Sequence, residues 1–455
     1  MSRKLYEYAV EGIAFTSLDS REIREPQTAL YCIGKSGLIE KIITKKEPEF
    51  RPARAEYKQA GKLTQLRKGQ YLLPGFIDLH VHAPQWGQAG TGLDVPLNEW
   101  LEKYTFHLES RFSDLAYAQN VYQNLVERLL RNGTTTVMYY GSYHKEATYK
   151  LAAICAKRGQ RAFVGKVVMD DKIQNPDFCR DQSTEAALQD TEDFIQQVNQ
   201  LNRSTKQGVY PVVSPRFIPS CTDEALYGLG KLAEKYGTYI QTHCSEGDWE
   251  HEYVRKRCKK SDAEALNGYG LMNNKSVMGH CGHLSDSDAG LFHAKGAIIS
   301  HCPHSNVYFA GAVTPIKKFL YQDKIKVALG TDLSGGFSPS LYDTIKQAVM
   351  SSHMLESGVN PKIKPQFRGV ADAALTLKEG FYLATAGAGE ALGMPIGRLE
   401  EGYAWDAQLI DTRAAAFPLP IFDAEESLDI IFQKILYLST PANIKSVWVQ
   451  GEKVV

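Results

Sequence analysis

The feature that most constrains the fold is a unit that recurs from Phe76 onward: a short apolar stretch, a loop, an amphipathic helical stretch and a glycine stop. This alternation predicts successive parallel βα units. The predicted strands cover residues 76–82, 134–141, 161–170, 208–216, 239–246, 276–283, 297–303 and 326–333. Eight such units predict an α/β fold with a (β/α)8 TIM barrel, and an open, doubly wound parallel sheet is the alternative.

Helical stretches are predicted between these strands, and several have recognisable ends. The predicted helices include residues 114–131, 185–201, 223–236 and 286–295. Ser285 is typical of an N-cap, and Gly133, Gly237 and Gly296 stand where helices commonly end.

The two ends of the chain are rich in short strand patterns separated by turns. We expect residues 1–74 and 390–455 to pair into one small β-sandwich, because each end would otherwise leave strand edges uncovered. The predicted domains are therefore a β-sandwich formed by 1–74 together with 390–455, and a metal-dependent barrel over 75–389.

Composition narrows the classes of partner. The formal net charge is zero, with 43% hydrophobic and 23% charged residues, so there is no electrostatic footprint for nucleic acid. The first eight residues carry no apolar signal core and no apolar run is long enough for a bilayer, so we expect a cytoplasmic protein without a membrane partner. Eight cysteines without a Cys-x-x-Cys spacing are expected to be reduced core residues. A small neutral substrate fits this balance best.

A cluster of candidate metal ligands falls at predicted strand ends. Alternation along a strand sends His80 and His82 to one face, which is weak evidence alone, since two histidines can share a face by chance. His243, His280 and Asp332 fall at or near the ends of later strands, where a parallel barrel gathers its catalytic groups. Four imidazoles and a carboxylate suit one Zn²⁺, with Fe²⁺ as the second choice.

Other polar residues near these strand ends suggest acid–base chemistry and base recognition. Glu246 follows His243 by three residues and is placed to carry a proton to a leaving amine, although a solvated acid at a helix start is the alternative. Arg216 stands where a two-metal site would need a bridging lysine, which favours one metal. Arg216 can donate to a carbonyl or ring nitrogen, and Phe217 can stack on a flat heterocycle.

The connection over residues 83–113 is unusually long for a βα loop, which predicts a lid or an interface. Gln85 lies near its start and can present an amide to a substrate. A solvated loop glutamine is the alternative for Gln85.

Several motifs together are similar to the amidohydrolase superfamily, in its mononuclear deaminase and chlorohydrolase branch. They lie at residues 74–82, 242–246, 301–303 and 330–332. Residues 82–85, 97–106, 161–166, 214–217 and 330–336 resemble the members of that branch that deaminate guanine, and the likeness continues through 396–402. His304 departs from the usual smaller polar residue, and the first 60 or so residues match poorly.

The resemblance implies roles for particular residues. It implies that zinc is held by His80, His82, His243 and Asp332, with His280 in or against the coordination shell. It implies that Gln85, Arg216 and Phe217 bind the base, next to His243, Glu246 and Asp332.

The resemblance also implies a reaction, the hydrolytic deamination of guanine to xanthine and ammonia by a zinc-bound hydroxide. Asp332 would take a proton, Glu246 would protonate the ring nitrogen and then the departing ammonia, and His280 would assist. A homodimer is implied as well. The alternatives are a deaminase or chlorohydrolase acting on another amino-heterocycle, such as 8-oxoguanine or an s-triazine, and a non-catalytic scaffold. The His-x-Glu and Pro-Cys-x-x-Cys signature of cytidine-deaminase-type sites is absent from the sequence.

Overall fold

The computed structural model of the chain describes residues 5–423 and 425–455, so the first four residues of the predicted 1–74 segment lie outside the described part. The strands, in chain order, are β1 Tyr8–Ala14, β2 Thr28–Ile33, β3 Ile39–Thr44, β4 Leu63–Gln65, β5 Gln70–Pro74, β6 Phe76–His82, β7 Thr134–Tyr140, β8 Arg161–Val168, β9 Val209–Pro215, β10 Tyr239–Cys244, β11 Ser276–His280, β12 Ile298–His301, β13 Lys326–Leu329, β14 Ala407–Asp411, β15 Ile444–Val449 and β16 Glu452–Lys453.

The α-helices are α1 Phe50–Gln59, α2 Leu97–Trp100, α3 Phe106–Ser110, α4 Leu115–Arg131, α5 Lys145–Arg158, α6 Thr184–Asn202, α7 Asp223–Tyr236, α8 Asp248–Cys258, α9 Asp262–Gly268, α10 Asp286–Lys295, α11 Pro303–Ser305, α12 Ile316–Tyr321, α13 Leu341–Ser357, α14 Pro365–Arg368, α15 Leu377–Ala384, α16 Ala386–Leu392 and α17 Leu428–Leu438. Short 3₁₀ turns cover Ala83–Gln88, Arg111–Ser113 and Ile218–Ser220, and π-turns cover Leu101–Thr105 and Asn306–Ala310.

Strands β6 to β13 form one parallel sheet in which each strand hydrogen-bonds to the next along the chain. The segment after β13 returns to the first strand, because the His82 amide donates to the Leu333 carbonyl at 2.8 Å and the Asp332 amide donates to the His80 carbonyl at 2.8 Å. The sheet is therefore a nearly closed barrel, which confirms the predicted architecture.

The strands begin within one residue of the predicted positions, and several end earlier. The predicted strand at 239–246 ends at Cys244, and the one at 276–283 ends at His280. The cause is local: Ser245, His280 and Cys281 have φ values of 50°, 68° and 59°, which extended backbone does not allow. Asp332, at φ 48°, likewise lies three residues beyond the end of β13 rather than on it.

The predicted helix ends are present. Ser285 forms a capping box with Asp288 at the start of α10. Gly237 and Gly296 occupy the left-handed conformation at φ 61° and 67° that ends α7 and α10.

Strands from both ends of the chain share a second, mixed sheet with the order β16-β15-β14-β5-β1-β2-β3, and β4 pairs with β1. The junction is the antiparallel pair β5–β14, in which Leu72 lies opposite Leu409. Trp405 is fully buried in the apolar core that covers this sheet. The predicted β domain from both termini is confirmed.

The chain separates into two compact units. One comprises residues 5–77, 128–136, 376–423 and 425–455, and the other comprises 78–127 and 137–375. The domain limits drawn from the sequence at 74 and 390 stay a prediction.

None of the cysteines in the described residues forms a disulfide bond, and all except the half-buried Cys258 are buried. Among the described residues, no helix combines the length and the apolar character that a bilayer crossing requires.

Candidate active site

Five candidate ligands from distant parts of the sequence meet at the carboxyl ends of the barrel strands. His80 and His82 come from β6, His243 from β10 and His280 from the end of β11, while Asp332 follows β13. All five are buried. The structure thus brings together the whole set that the sequence singled out.

The nitrogen and oxygen atoms of these side chains converge. The Nε2 atoms of His82 and His243 are 3.1 Å apart. Asp332 Oδ1 lies 3.4 Å from Nε2 of both His80 and His82, and Asp332 Oδ2 lies 4.0 Å from His280 Nε2. The donor atoms of His80, His82 and His243 all lie within 4.8 Å of one another, which is the spacing of ligands around one ion.

The protonation of the cluster fits a cation. Burial lowers the pKa of His80 and places the pKa values of His82 and His243 well below 6.5, so these imidazoles are neutral. His243 Nδ1 donates to the Arg216 carbonyl at 2.6 Å, which leaves the Nε2 lone pair free. His80 Nε2 and His280 Nε2 are buried without a hydrogen-bond partner in the described part of the chain. A metal ion can satisfy buried nitrogen atoms of this kind.

Two carboxyl groups at the cluster have opposite pKa shifts. Burial alone raises the pKa of Asp332, but the close imidazole of His80, together with those of His280 and His82, outweighs burial and holds that pKa well below its usual range. Burial raises the pKa of Glu246, whose Oε2 lies 3.6 Å from His280 Nε2. Asp332 is therefore suited to act as an ionised ligand or base, and Glu246 is suited to carry a proton.

A pocket opens directly beside this cluster. Its lining consists of His82, Gln85, Leu97, Trp100, Leu101, Arg216, Phe217, His243, Glu246, Phe309, Asp332 and Gly335. Gln85, Arg216 and Phe217, which the sequence suggested for base binding, all face it. The segment 83–113 contributes one wall through Leu97, Trp100 and Leu101, as a lid would.

Further buried groups hold the candidate ligands in place through hydrogen bonds. Asp78 accepts from the Thr331 hydroxyl at 2.6 Å and from the Thr331 and His80 amides at 3.0 and 3.2 Å, which ties β6 to the segment that carries Asp332. Asn306 Oδ1 lies 2.9 Å from His280 Nδ1, and Asn306 Nδ2 donates to Thr314. Because this donation orients the amide, His280 Nδ1 carries the hydrogen and Nε2 is left bare.

The structure adds residues that the sequence reasoning missed. Glu109 forms two hydrogen bonds with the Arg216 guanidinium and one with Gln85. Tyr140 stacks on the His82 ring with centroids 4.6 Å apart. Cys302 groups with His80 and His280 as a further possible ligand, and only its place in the motif 301–303 hinted at this. A single glutamate within a long connection carries no comparable sequence signal.

Comparisons with known proteins agree with this geometry. The model of the amidohydrolase family matches residues 71–454. The chain is 40% identical over 391 residues to a guanine deaminase of Dictyostelium discoideum, covering 85% of this chain and 82% of the relative. It is 39% identical over 401 residues to a guanine deaminase of Rattus norvegicus, covering 87% and 85%. The crystal structure of guanine deaminase from C. acetobutylicum with bound guanine in the active site is similar at a TM-score of 0.86 and 30% identity, covering 98% of this chain and 100% of that chain.

Proposed function

Since this chain belongs to the amidohydrolase family, we propose that it removes the amino group of guanine by hydrolysis and releases xanthine and ammonia. The observation that carries the proposal is the pocket in which Gln85, Arg216 and Phe217 face the cluster of His82, His243 and Asp332. Relatives named as guanine deaminases, at about 40% identity over most of both chains, support the same substrate.

The ligand set fits one divalent metal ion, and Zn²⁺ suits it better than Fe²⁺ because imidazole nitrogens dominate. His80, His82, His243 and Asp332 would hold the ion, and His280 would lie in or against its shell. When bound, such an ion supplies a Lewis acid that makes water acidic enough to act as a nucleophile near neutral pH.

The protein's own groups then move the protons. Asp332, ionised in the buried cluster, accepts a proton from the attacking water at a carboxylate oxygen. Glu246, whose raised pKa favours the protonated carboxyl, donates its proton to the ring nitrogen next to the amine-bearing carbon. It then takes up the proton of the hydroxyl added to that carbon and passes it to the leaving amine, and the proton held by Asp332 restores the Glu246 carboxyl. His280 Nε2, 3.6 Å from Glu246, assists by holding that carboxyl in place.

The base is held by three side chains. Arg216 donates to an acceptor on the purine and Gln85 contributes its amide, which together fix the base in the plane that the reaction requires. Phe217, whose ring centroid lies 6.1 Å from that of His243, closes one face of the pocket and stacks on the heterocycle.

Ammonia release from a panel of guanine, 8-oxoguanine, adenine and an s-triazine, with metal analysis on the same sample, tests the proposal. We expect guanine to be the best substrate, with about one zinc per chain. Activity on a triazine equal to that on guanine would overturn the substrate assignment. A pure, folded sample without metal or deaminase activity would support the non-catalytic scaffold.

Glu246→Gln tests the proton donor. The variant should keep its metal and bind guanine normally, yet lose about 10²-fold or more in kcat, the scale of a positioned acid–base group. Glu252→Gln is the matched control, because Glu252 is exposed on the adjacent helix α8 and should leave kcat unchanged. Near-normal turnover in the Glu246 variant would remove Glu246 from the mechanism.

We also propose a cytoplasmic homodimer. Eight cysteines that form no disulfide bond suit a reducing compartment. Exposed apolar side chains at Met350, Met354, Val359 and Phe367 suit a contact between copies. Light scattering on the purified protein gives the oligomeric state directly, and a monomer at micromolar concentration would refute the dimer.

A further inference from the structure

Glu109 joins the two polar groups of the base pocket, although no role is assigned to it by the reaction above. Its Oε2 accepts from Arg216 Nη1 at 2.5 Å, and its Oε1 accepts from Arg216 Nη2 at 3.2 Å and from Gln85 Nε2 at 3.0 Å. Gln85 is 2% exposed, and Glu109 and Arg216 are each 5% exposed. The three side chains therefore form one buried unit that is held away from solvent.

The first consequence concerns the direction of the Gln85 amide. An ionised carboxylate can only accept hydrogen bonds, so Gln85 must turn its NH₂ group toward Glu109. The amide oxygen of Gln85 is then the atom available to a ligand. The pocket thus presents an acceptor from Gln85 and donors from Arg216, which complements a lactam edge, a ring N–H next to a carbonyl.

The second consequence concerns charge. A buried guanidinium attracts anions strongly unless a carboxylate compensates it. Burial alone would lower the pKa of Arg216, but Glu109 outweighs burial and raises it, so Arg216 stays a cation that is paired within the pocket. Phe106, from the same helix α3 as Glu109, packs its ring 5.6 Å from the guanidinium carbon. The pair leaves the base-binding wall without net charge.

We propose that Glu109 is a specificity-determining positioning residue, which makes the pocket select a neutral lactam base over an anionic purine. This inference rests on the proposed function only for the identity of the base. The same selection would act against xanthine, the deamination product, because xanthine loses a ring proton and becomes an anion more readily than guanine does. Compensation of Arg216 by Glu109 therefore favours release of the product over its retention.

Direct binding tests this without any turnover. Hypoxanthine has a lactam edge but no amine at the reacting carbon, so it cannot be deaminated. At about pH 8 it is largely neutral while xanthine is largely anionic. Calorimetry on metal-loaded protein gives the ratio of the Kd for hypoxanthine to the Kd for xanthine. In Glu109→Gln we expect this ratio to rise about tenfold or more, which corresponds to about 1.4 kcal/mol.

Three further variants test whether a change in this Kd ratio comes from the loss of the Glu109 charge. Glu102→Gln is the matched control, since Glu102 is exposed on the same segment, and its ratio should stay within about threefold of wild type. The double variant Glu109→Gln/Arg216→Gln removes both charges and should return the ratio to within about threefold of wild type. Glu109→Ala removes the same carboxylate by a different substitution and should also raise the ratio, so a variant of Glu109 can be tested even where Glu109→Gln does not fold.

Steady-state kinetics should show the same preference for an anionic purine in the Glu109 variants. Glu109→Gln is expected to raise the KM for guanine and strengthen inhibition by xanthine, with a smaller effect on kcat and none on metal content. An unchanged ratio in the folded Glu109 variants would overturn the inference and leave Glu109 a structural residue. Absence of guanine deamination by the wild type, together with a shifted ratio in the variants, would instead refute the proposed function and leave this inference standing.

Discussion

Glu250 allows us to predict whether the stability of the protein rises or falls with pH. Its carboxyl is 2% exposed in α8, and its Oε2 accepts from the Glu246 amide at 2.8 Å. Burial first, and then the nearby carboxyls of Asp262 and Glu246, raise the pKa of Glu250 well above 4.5. The folded protein therefore holds a proton there that the unfolded chain releases once the pH exceeds about 4.5.

This proton makes stability fall as pH rises. The pKa of Glu250 is higher in the folded protein than in the unfolded chain. At pH values between these two pKa values, unfolding releases a proton, and the free energy of unfolding drops by up to about 1.4 kcal/mol per pH unit. Glu250→Gln mimics the protonated carboxyl and keeps an acceptor for the Glu246 amide, but it has no proton to release. Its stability relative to wild type should therefore increase from pH 5 toward neutrality, with kcat nearly unchanged.

Thermal unfolding of metal-loaded wild type and variant across that pH range measures the effect. Glu252→Gln, exposed on the same helix, is the control and should follow wild type at every pH. Parallel curves for Glu250→Gln and wild type would refute the reasoning, because they would mean that Glu250 is ionised in the folded state. Glu250→Ala should in addition lower kcat, since the Glu246 amide loses its acceptor.

Two other predictions concern buried polar groups. Lys166→Met leaves the buried Asp181 carboxylate without its ion-pair partner and should lower the free energy of unfolding, measured in urea, by about 3–5 kcal/mol. Lys166→Met/Asp181→Asn should lower it much less, because the introduced side-chain amide oxygen still accepts from the Met169 backbone amide. A loss in the double variant equal to the sum of the two single losses would contradict this. Asn306→Leu removes the hydrogen-bond acceptor of His280 Nδ1 and should lower activity or zinc affinity about 10–100-fold. Steady-state kinetics and zinc titration measure the two effects. Wild-type values for both would contradict the role of Asn306 in orienting His280.

The barrel was predictable because its signals are local. The strand Phe76–His82 has the bounds that its apolar alternation indicates, and α10 begins at the capping residue Ser285. The position of candidate ligands such as His243 was predictable once eight strands were recognised, since parallel strands carry their ends to one face. Periodicity and caps depend on near neighbours, and the sequence displays both.

Glu109 was not predictable for the opposite reason. Its partner Arg216 is 107 residues away, and Gln85 is 24 residues away. Nothing near Glu109 distinguishes it from exposed acids such as Glu102 on the same segment. Its burial and pairing arise only when the segment 83–113 folds over the barrel mouth, which is a property of tertiary packing.

The backbone at the strand ends explains how Glu246 reaches the pocket. Along a continued strand, His243 and Glu246 would point to opposite faces, because they are three residues apart and side chains alternate with a period of two. Both nevertheless line the same pocket. Ser245, at φ 50°, stands between them and breaks the alternation, at a cost of about 1–3 kcal/mol that a non-glycine residue bears only when its surroundings hold it. The amides of Gly282 and His283 both donate to the Ser245 carbonyl, at 3.0 and 3.3 Å, and hold it in place. The break in the strand thus directs Glu246, the proposed proton donor, into the pocket, and the strand itself directs His243, the proposed metal ligand.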